Sequence, residues 1–235
     1  MYQPVSLSAV QWSEALDSLN QKGFALLPKV LSSELCQELI NSYDAPEAYR
    51  SVINMKRHNF GLGEYKYFSY PLPAIIEQLR TELYPYLAPV ANDWMRKLGI
   101  SLSYPSTLHA FLKLCHEKGQ HRPTPLILKY EKGGFNTLHQ DLYGEVYFPF
   151  QAVLFLTEPE KDYEGGEFIM TEQRPRMQSK GIVLRPRQGQ ILIFTTNFRP
   201  VLGTKGYYRT AMRHGVSEVH AGKRYTVGII FHDAQ

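Results

Sequence analysis

Two histidines and one aspartate in the second half of the chain have the residue types and spacing of a metal site. His139 and Asp141 are separated by one residue, in the run His139-Gln140-Asp141. In an extended segment, residues i and i+2 point to the same side, so an imidazole and a carboxylate can reach one ion. His214, in a strand-like run over 212–216, can supply the second imidazole. Two histidines and one carboxylate on one face of an octahedron leave three positions open, which suits non-haem iron(II).

An arginine and a threonine follow His214 at a spacing that suits a cosubstrate site. Arg224 lies ten residues beyond His214, and Thr226 follows it at i+2. If the strand containing Arg224 runs antiparallel beside His214, its guanidinium enters the same cavity. Arginine binds a carboxylate through two parallel hydrogen bonds, and the neighbouring Thr hydroxyl can assist. An open metal beside such an arginine predicts a bidentate dicarboxylate cosubstrate and leaves one position for O2.

The elements that must position these residues change character along the chain. The first half predicts helices over 7–20, 33–42 and 74–98, the last interrupted near Pro85 and Pro89, and a short strand over 24–28. The second half predicts short strands over 126–130, 152–157, 167–171, 181–185, 190–194, 209–216 and 225–231. This order favours an α+β chain with a mainly β core, a sandwich or jelly roll supported by N-terminal helices. No shift in composition marks a second domain.

Composition excludes several classes of protein. Hydrophobic residues make up 43% and charged residues 20% of the chain, which is typical of a globular domain rather than a disordered one. The two cysteines, Cys36 and Cys115, are too few for a disulfide scaffold or a multi-cysteine zinc site. No apolar run approaches the ~20 residues that cross a bilayer, and the N-terminus lacks the regions of a signal peptide. We therefore expect a cytoplasmic protein without membrane contact.

Charge is unevenly distributed. Residues 174–224 carry eleven basic side chains and one acidic side chain, a local charge of +10 in a chain of net charge +4. Such a segment either binds an anion, a small dicarboxylate or a polyanion, or forms a solvated basic face. The run over 65–70 interleaves aromatic rings with Lys66, which is typical either of a stacking platform for bases or a peptide or of a half-buried strand. Residues 50–70 and 171–180 are candidate lids.

Four ordered motifs resemble those of the Fe(II)/2-oxoglutarate-dependent dioxygenases, in particular their prolyl-hydroxylase-like branch. The resemblance covers residues 126–233, and its motifs are Tyr130-x-x-Gly133 through His139-x-Asp141, Gly165-Gly166-Glu167-Phe168, Pro186-x-x-Gly189-x-x-x-x-Phe194, and His214-x-Val216 through Gly222-x-Arg224. More narrowly, residues 55–68 and 171–178 resemble a group of uncharacterised bacterial 2-oxoglutarate/Fe(II) oxygenases described as acting on damaged nucleic acid.

The resemblance implies a fold and a reaction. The fold is a double-stranded β-helix, a jelly-roll or cupin-like core with N-terminal supporting helices, as a single domain over residues 1–235. Residues 126–235 then form the core with the metal site, and residues 1–125 a helix-rich support and lid region. The implied reaction uses Fe(II) and O2 to decarboxylate 2-oxoglutarate oxidatively to succinate and CO2 while a substrate C–H bond is hydroxylated.

The resemblance also implies roles for seven residues. His139, Asp141 and His214 ligate Fe(II), and Arg224 pairs with the distal carboxylate of 2-oxoglutarate, with Thr226 beside it. Two further residues have implied contacts to the cosubstrate, Tyr130 and Asn136.

The substrate and the class of protein each leave alternatives open. Oxidative demethylation of alkylated DNA or RNA is favoured by the +10 segment and by the narrower resemblance. Nucleic-acid demethylases of the AlkB type carry a second arginine six residues after the first, where this chain has Ile230. That difference, with the Arg224-x-Thr226 pattern, favours hydroxylation of a protein side chain or a small metabolite. The alternative from another class is a non-catalytic β-fold that binds a metal or nucleic acid.

Overall fold

The computed structural model describes residues 5–142 and 144–235. Residues 1–4, which are part of the predicted domain and of the stretch where no signal peptide is expected, and residue 143 lie outside the described residues. Within the described residues, the α-helices are α1 (Trp12–Lys22), α2 (Ser33–Asn41), α3 (Ala74–Lys97) and α4 (Leu108–Glu117). The strands are β1 (Phe24–Leu26), β2 (Tyr49–Asn54), β3 (Gly61–Leu62), β4 (Glu64–Phe68), β5 (Leu126–Glu131), β6 (Phe135–His139), β7 (Phe150–Phe155), β8 (Tyr163–Gly165), β9 (Phe168–Gln173), β10 (Lys180–Leu184), β11 (Ile191–Thr195), β12 (Phe198–Gly203), β13 (Gly206–Val216) and β14 (Val219–Ile230).

The strands form two sheets. The larger sheet has the order β1-β11-β7-β14-β5-β4-β2, with β8 on β14, and the smaller has the order β10-β9-β13-β6-β3, with β12 on β13. The inner faces pack together through Phe155 and Phe194 of the larger sheet and Phe168 and Met212 of the smaller. Two facing antiparallel sheets built from interleaved strands form a double-stranded β-helix. The predicted fold class, mainly β with supporting helices, is confirmed.

The helices cover the outer face of the larger sheet. Strand β7 is buried along its whole length, because its alternate residues face two different apolar layers. Ala152 and Leu154 pack with Leu83 and Trp94 of α3 in the main core, whereas Val153 faces the smaller sheet. A strand covered on both sides has a continuous apolar run as its sequence, and 152–156 is such a run.

Helix α3 is continuous, so the predicted interruption is wrong. Pro85 and Pro89 both lie inside it. Each proline removes one backbone donor from the helix, but Leu83, Tyr84 and Leu87 are fully buried, and their packing offsets that loss. Helix α1 also begins later than predicted, at Trp12, because residues 7–10 form a turn in which the Val10 N–H donates to the Leu7 carbonyl (3.1 Å).

Part of the first half belongs to the β structure. Strands β2 and β4 extend the larger sheet beyond β5, and the aromatic run over 65–70 therefore lies mostly in β4, a half-buried strand. Helix α4 and strands β2, β3, β6, β8 and β12 were not among the predicted elements, although the buried residues Leu108, Phe111 and Cys115 of α4 recur at helical spacing. The extra strands of the larger sheet bring residues of the first half beside the predicted site.

A buried ion pair anchors α3 to the end of β14. Arg80 is fully buried, and its Nη2 lies 2.8 Å from an Asp233 carboxylate oxygen. Its Nε donates to the Ile230 carbonyl and its Nη2 also donates to the Phe231 carbonyl, both at 3.0 Å. Removing one partner of such a pair leaves an uncompensated buried charge. The supporting helix therefore holds the C-terminal end of the strand that carries Arg224.

We expect His232 to make the fold sensitive to acid. Its Nδ1 accepts a hydrogen bond from the Phe148 N–H (3.2 Å), and burial, followed by the charge of Arg80, lowers its pKa to about 4. Below the ordinary histidine pKa of about 6.5, the unfolded chain binds the proton first. The contribution of His232 to the free energy of unfolding is therefore fully present above pH 6.5 and falls by about 3 kcal/mol as the pH drops to about 4.

The matched variant is His232→Asn, whose amide oxygen replaces the Nδ1 acceptor without titrating. Urea unfolding from pH 4 to 8 should show wild type losing stability relative to the variant; parallel curves contradict the prediction.

Candidate metal centre and its cavity

Antiparallel pairing of β6 with β13 brings the predicted metal ligands together. His139 at the end of β6 is the direct register partner of His214 in β13, and their ring centres lie 4.2 Å apart. Asp141 follows two residues after His139. One potential ligand atom from each of the three side chains lies within 4.8 Å of the others. A local motif and a residue far along the chain thus form one cluster.

Hydrogen bonds orient the cluster as a metal site requires. The His139 Nδ1 lies 2.7 Å from the Thr137 carbonyl, so Nδ1 is assigned as the donor and Nε2 keeps its lone pair. The Nε2 atoms of His139 and His214 each lie 3.4 Å from a different oxygen of Asp141. His214 packs on one side against the rings of Phe168 and Phe194, whose centres are 5.9 and 4.6 Å away. Two imidazole nitrogens around one carboxylate fit a divalent transition metal.

Electrostatics keep the carboxylate ionised. Burial raises the pKa of Asp141, but hydrogen bonding and charge from His139 and His214 outweigh burial and hold the pKa well below its ordinary value. Burial is also the largest influence on His214 and lowers its pKa. Burial also lowers the pKa of His139, but the hydrogen bond and charge of Asp141 outweigh burial and raise it. The ionised Asp141 carboxylate and the neutral His214 imidazole are therefore in the protonation states in which such groups ligate metals.

The cluster opens into a cavity of about 220 Å³ between the two sheets. Alternate residues of β14 form its floor: Arg224, Thr226, Gly228 and Ile230. The sheet register places Arg224 opposite Tyr130 of β5 at one end. At the other end, Gly228 lies opposite Leu126, which in turn pairs with Tyr67 of β4. The cavity therefore has a cationic end at Arg224 and an aromatic end at β4.

Arg224 is a buried cation without a carboxylate partner among the described residues. Its side chain is 1% exposed, its Nε has no hydrogen-bond partner there, and its guanidinium carbon lies 5.5–5.9 Å from the ring centres of Tyr130, Phe155 and Tyr163. Burying a charge is costly unless it is paired. The end of the cavity is thus built to receive an anion.

The double-glycine motif makes room for this arginine. Gly166 has a positive φ of 62°, and a Cβ there would lie 2.9 Å from the Arg224 Cδ. Only glycine combines this backbone conformation with so close an approach. The Gly165-Gly166 motif of the sequence therefore serves the cationic end of the cavity.

The structure brings all seven predicted site residues to this one cavity. Thr226 is buried beside Arg224, and Tyr130 and Asn136 are part of the lining. Burial raises the pKa of Tyr130 to about 12, although the Arg224 charge and the Asn136 side chain act in the opposite direction. The Tyr130 phenol therefore stays neutral and can donate a hydrogen bond.

Sequence reasoning missed two glutamines that hold the cluster. The Gln151 Nε2 donates to the Asp141 carboxylate at 2.9 Å, and Gln151 is itself buried. The Gln140 Nε2 donates to the carbonyls of Asn197 (2.7 Å) and Met212 (2.9 Å). Gln140 is the middle residue of the predicted motif, but Gln151 lies in an otherwise apolar strand. A polar residue inside the apolar run 150–155 was the one signal in the sequence.

Sequence reasoning also underestimated the aromatic end. Phe60, Tyr65 and Tyr67 line the cavity, and the rings of Tyr65 and Tyr67 meet edge to face at 5.4 Å. The alternation of Tyr65 and Tyr67 indicates that they share one face of a strand, but nothing local shows that this face borders the metal cluster.

Several basic side chains of the segment over 174–224 form ion pairs with acidic residues that precede the segment. Arg174 and Arg199 both bind Glu172, at 2.9 and 2.8 Å. Arg185 lies 2.7 Å from Glu167, and other pairs of this segment are Arg187 with Glu158 and Lys223 with Glu131. The local +10 therefore overstates the free positive charge.

A helix long and apolar enough to cross a membrane is absent from the part of the chain that the structure describes.

The fold and the cluster together are typical of one class of protein, the non-haem iron oxygenases. Both features are present here: a double-stranded β-helix, and two histidines and a carboxylate beside a buried arginine. The model of the Oxygenase-NA family, described as an oxygenase catalysing oxidative methylation of damaged DNA, matches residues 63–234. The chain belongs to this family. An uncharacterised Mycobacterium tuberculosis protein is 48% identical over 167 residues, which cover 71% of this chain and 72% of that protein.

Solved structures share the fold at low sequence identity. A Pseudomonas putida prolyl-4-hydroxylase aligns with a TM-score of 0.54 and 16% identity, covering 96% of this chain and 100% of its own. A Burkholderia pseudomallei 2OG-Fe(II) oxygenase aligns with a TM-score of 0.56 and 14% identity, covering 99% and 98%.

Family membership and the cluster together confirm the predicted class. The protein is a 2-oxoglutarate/Fe(II)-dependent oxygenase, with Fe(II), 2-oxoglutarate and O2 as its cofactor and cosubstrates. The alternative of a non-catalytic binding protein is set aside.

We expect loss of the Gln151 hydrogen bond to weaken metal binding. In Gln151→Leu the Asp141 carboxylate loses the hydrogen bond from Gln151, and removal of such a partner typically costs about 10–100-fold in metal affinity. Titration with Fe(II) under anaerobic conditions, or with Mn(II) followed by electron paramagnetic resonance, measures this change. Gln188→Leu, at a half-buried glutamine outside the cavity, is the matched control. Equal affinities in both variants would contradict the role of Gln151.

Proposed function

We propose that the protein hydroxylates a C–H bond of an alkylated nucleic-acid base and uses the seven cavity residues for the roles that the sequence indicates. His139, Asp141 and His214 hold Fe(II), and Arg224 with Thr226 binds the distal carboxylate of 2-oxoglutarate. The observation that carries the proposal is the buried, uncompensated Arg224 at the end of the same cavity as the three-residue cluster. Tyr130 and Asn136 flank the cosubstrate.

Bound Fe(II) supplies the activation of O2 that couples decarboxylation of 2-oxoglutarate to hydroxylation of the substrate. The chain supplies position and exclusion of water. Arg224 orients the cosubstrate through two parallel hydrogen bonds, and the buried rings of Tyr130 and Phe168 exclude water around it. Gln151 holds the Asp141 carboxylate in place. The substrate then occupies the remaining space, at the aromatic end.

Two observations support a base as the substrate. The family description names damaged DNA. The cavity lining includes the rings of Tyr65 and Tyr67 at the aromatic end and the ring of Phe60, against which a planar group can stack. Hydroxylation of an N-methyl group gives an N-hydroxymethyl group, which releases formaldehyde and restores the N–H. The expected products are therefore succinate, CO2, formaldehyde and the repaired base.

A second candidate is hydroxylation of a protein side chain or small metabolite. It is favoured by Ile230, which lines the cavity where a nucleic-acid demethylase of the AlkB type has a second arginine. Succinate formation driven by peptides or metabolites but not by methylated oligonucleotides would select this candidate.

We expect Arg224→Met to abolish tight binding of 2-oxoglutarate. Truncation of a buried charge pair costs about 2–5 kcal/mol, which corresponds to at least about thirtyfold in affinity. Anaerobic titration of the Fe(II) protein with 2-oxoglutarate, followed by the visible metal-to-ligand charge-transfer band, measures it. Without ligand the variant should be at least as stable as wild type, because an unpaired buried charge has been removed. Arg209→Met, at an exposed arginine, is the control. If the band shows that Arg224→Met binds 2-oxoglutarate with wild-type affinity, the assignment of Arg224 to the cosubstrate carboxylate is wrong.

We expect Gly228 to define the space for the substrate. Its φ is not in the left-handed region, and a Cβ there would meet the Leu126 Cδ2 at an ordinary 3.4 Å, so the backbone does not require glycine. The larger side chain of Gly228→Val projects into the cavity and should lower oligonucleotide-dependent succinate formation at least about tenfold. The charge-transfer band should remain. Gly181→Val, with no atom within 4 Å of its Cβ, is the control, and equal turnover in both variants would be evidence against this role.

A further inference from the structure

Two arginines lie together at the aromatic end of the cavity. The Arg50 guanidinium carbon sits 4.4 Å from the ring centre of Tyr67, which lines the cavity. The Arg50 Nε donates to the Pro123 carbonyl at 2.8 Å, and Arg122 immediately precedes that proline. The segment that contains Arg122 leads into β5, where Leu126 lines the cavity. Arg50 therefore lies against the cavity wall, and Arg122 lies exposed in the neighbouring segment; neither is part of the cavity lining.

The backbone explains why Arg50 turns toward the cavity. β2 is the edge strand of the larger sheet, and its pairing with β4 shifts register between Tyr49 and Ser51. Such bulges occur at sheet edges and next to active sites, where they redirect a side chain. The residue inside this shift is Arg50.

The two arginines have no ion pair within the described residues. Burial is the main influence that lowers the pKa of Arg50, and the charge of Arg122 acts in the same direction, in line with the hydrogen bond from Arg50 to the residue that follows Arg122. The Asp233 carboxylate also influences Arg50 but is already bonded by Arg80, Tyr70 and His116. Two cations on neighbouring segments, neither of them in an ion pair among the described residues, favour an external anion.

We propose that Arg50 and Arg122 bind a backbone phosphate of single-stranded nucleic acid while the adjacent base occupies the cavity. This inference rests on the proposed function of the cavity. Among the described residues that line the cavity, Arg224 is the only Lys or Arg, and it lies at the opposite end. Recognition of the backbone must therefore occur outside the interior. A phosphate offers several acceptor oxygens and can bind two guanidinium groups at once.

The test is binding of a fluorescein-labelled single-stranded pentathymidylate to the anaerobic Fe(II)/2-oxoglutarate protein, measured by fluorescence anisotropy across a salt series. The test variant is Arg50→Gln/Arg122→Gln. The control is Lys180→Gln/Lys205→Gln, which removes the same charge from two exposed lysines without ion pairs in the described residues. We expect the test pair to weaken binding about tenfold and to reduce the slope of log K against log salt by about 0.7 for each phosphate that the variant no longer neutralises. The control pair should change affinity less than about threefold.

The single variant Arg122→Gln controls for misfolding, because the Arg122 side chain makes no hydrogen bond to the described residues. This variant should weaken oligonucleotide binding about threefold. Equal losses of affinity in the test and control pairs, or no loss in either test variant, would overturn the phosphate site. Thymidine 5′-monophosphate serves as a competitor beside the unlabelled oligonucleotide. If both compete equally well, the site binds a free nucleotide, and the proposal that it binds single-stranded nucleic acid is wrong. The charge-transfer band should be unchanged in every variant. Its absence from wild type would be a failure of the proposed function instead.

Discussion

The site depends on the antiparallel register between β6 and β13. It places His139 directly opposite His214, and a shift of one residue would turn either side chain to the other face of the sheet. The same pairing carries Asp141 beyond the end of β6 to the two imidazoles. Gln140, between the two ligands, binds the backbone of β13 and its neighbouring loop. The motif thus contains both the chemistry and one of the contacts that maintain its register.

β14 links this cluster to the rest of the molecule. Its inner face presents, in sequence, the buried cation Arg224, the Thr226 hydroxyl, the open floor at Gly228 and the apolar Ile230. Its far end is held by Arg80 of α3. The helices therefore do more than cover apolar surface, because one of them fixes the strand that lines the cavity from Arg224 to Ile230.

Charge is distributed so that the interior of the cavity remains selective. Several cations of the segment over 174–224 form ion pairs with acidic side chains that precede it, such as Glu158, Glu167 and Glu172. Arg224 keeps its charge without a carboxylate partner in the described structure. In the proposed function, a dicarboxylate at that end adds the missing negative charge beside a buried guanidinium, where such an interaction is strong. The cavity therefore has an uncompensated cation at one end and is lined by aromatic and small residues at the other.

The sequence by itself determined the β-rich second half and the residues that would meet in one cavity, because period-two strands and ordered motifs are local signals. It was wrong about an interruption in α3, since burial of one helix face outweighs two missing backbone donors. Tertiary structure alone decided that Tyr65 and Tyr67 border the metal cluster, that Gln151 holds Asp141, and that much of the +10 segment is paired. Each of these facts is a contact between segments distant in the chain, and such contacts are set by strand order and register rather than by residue type.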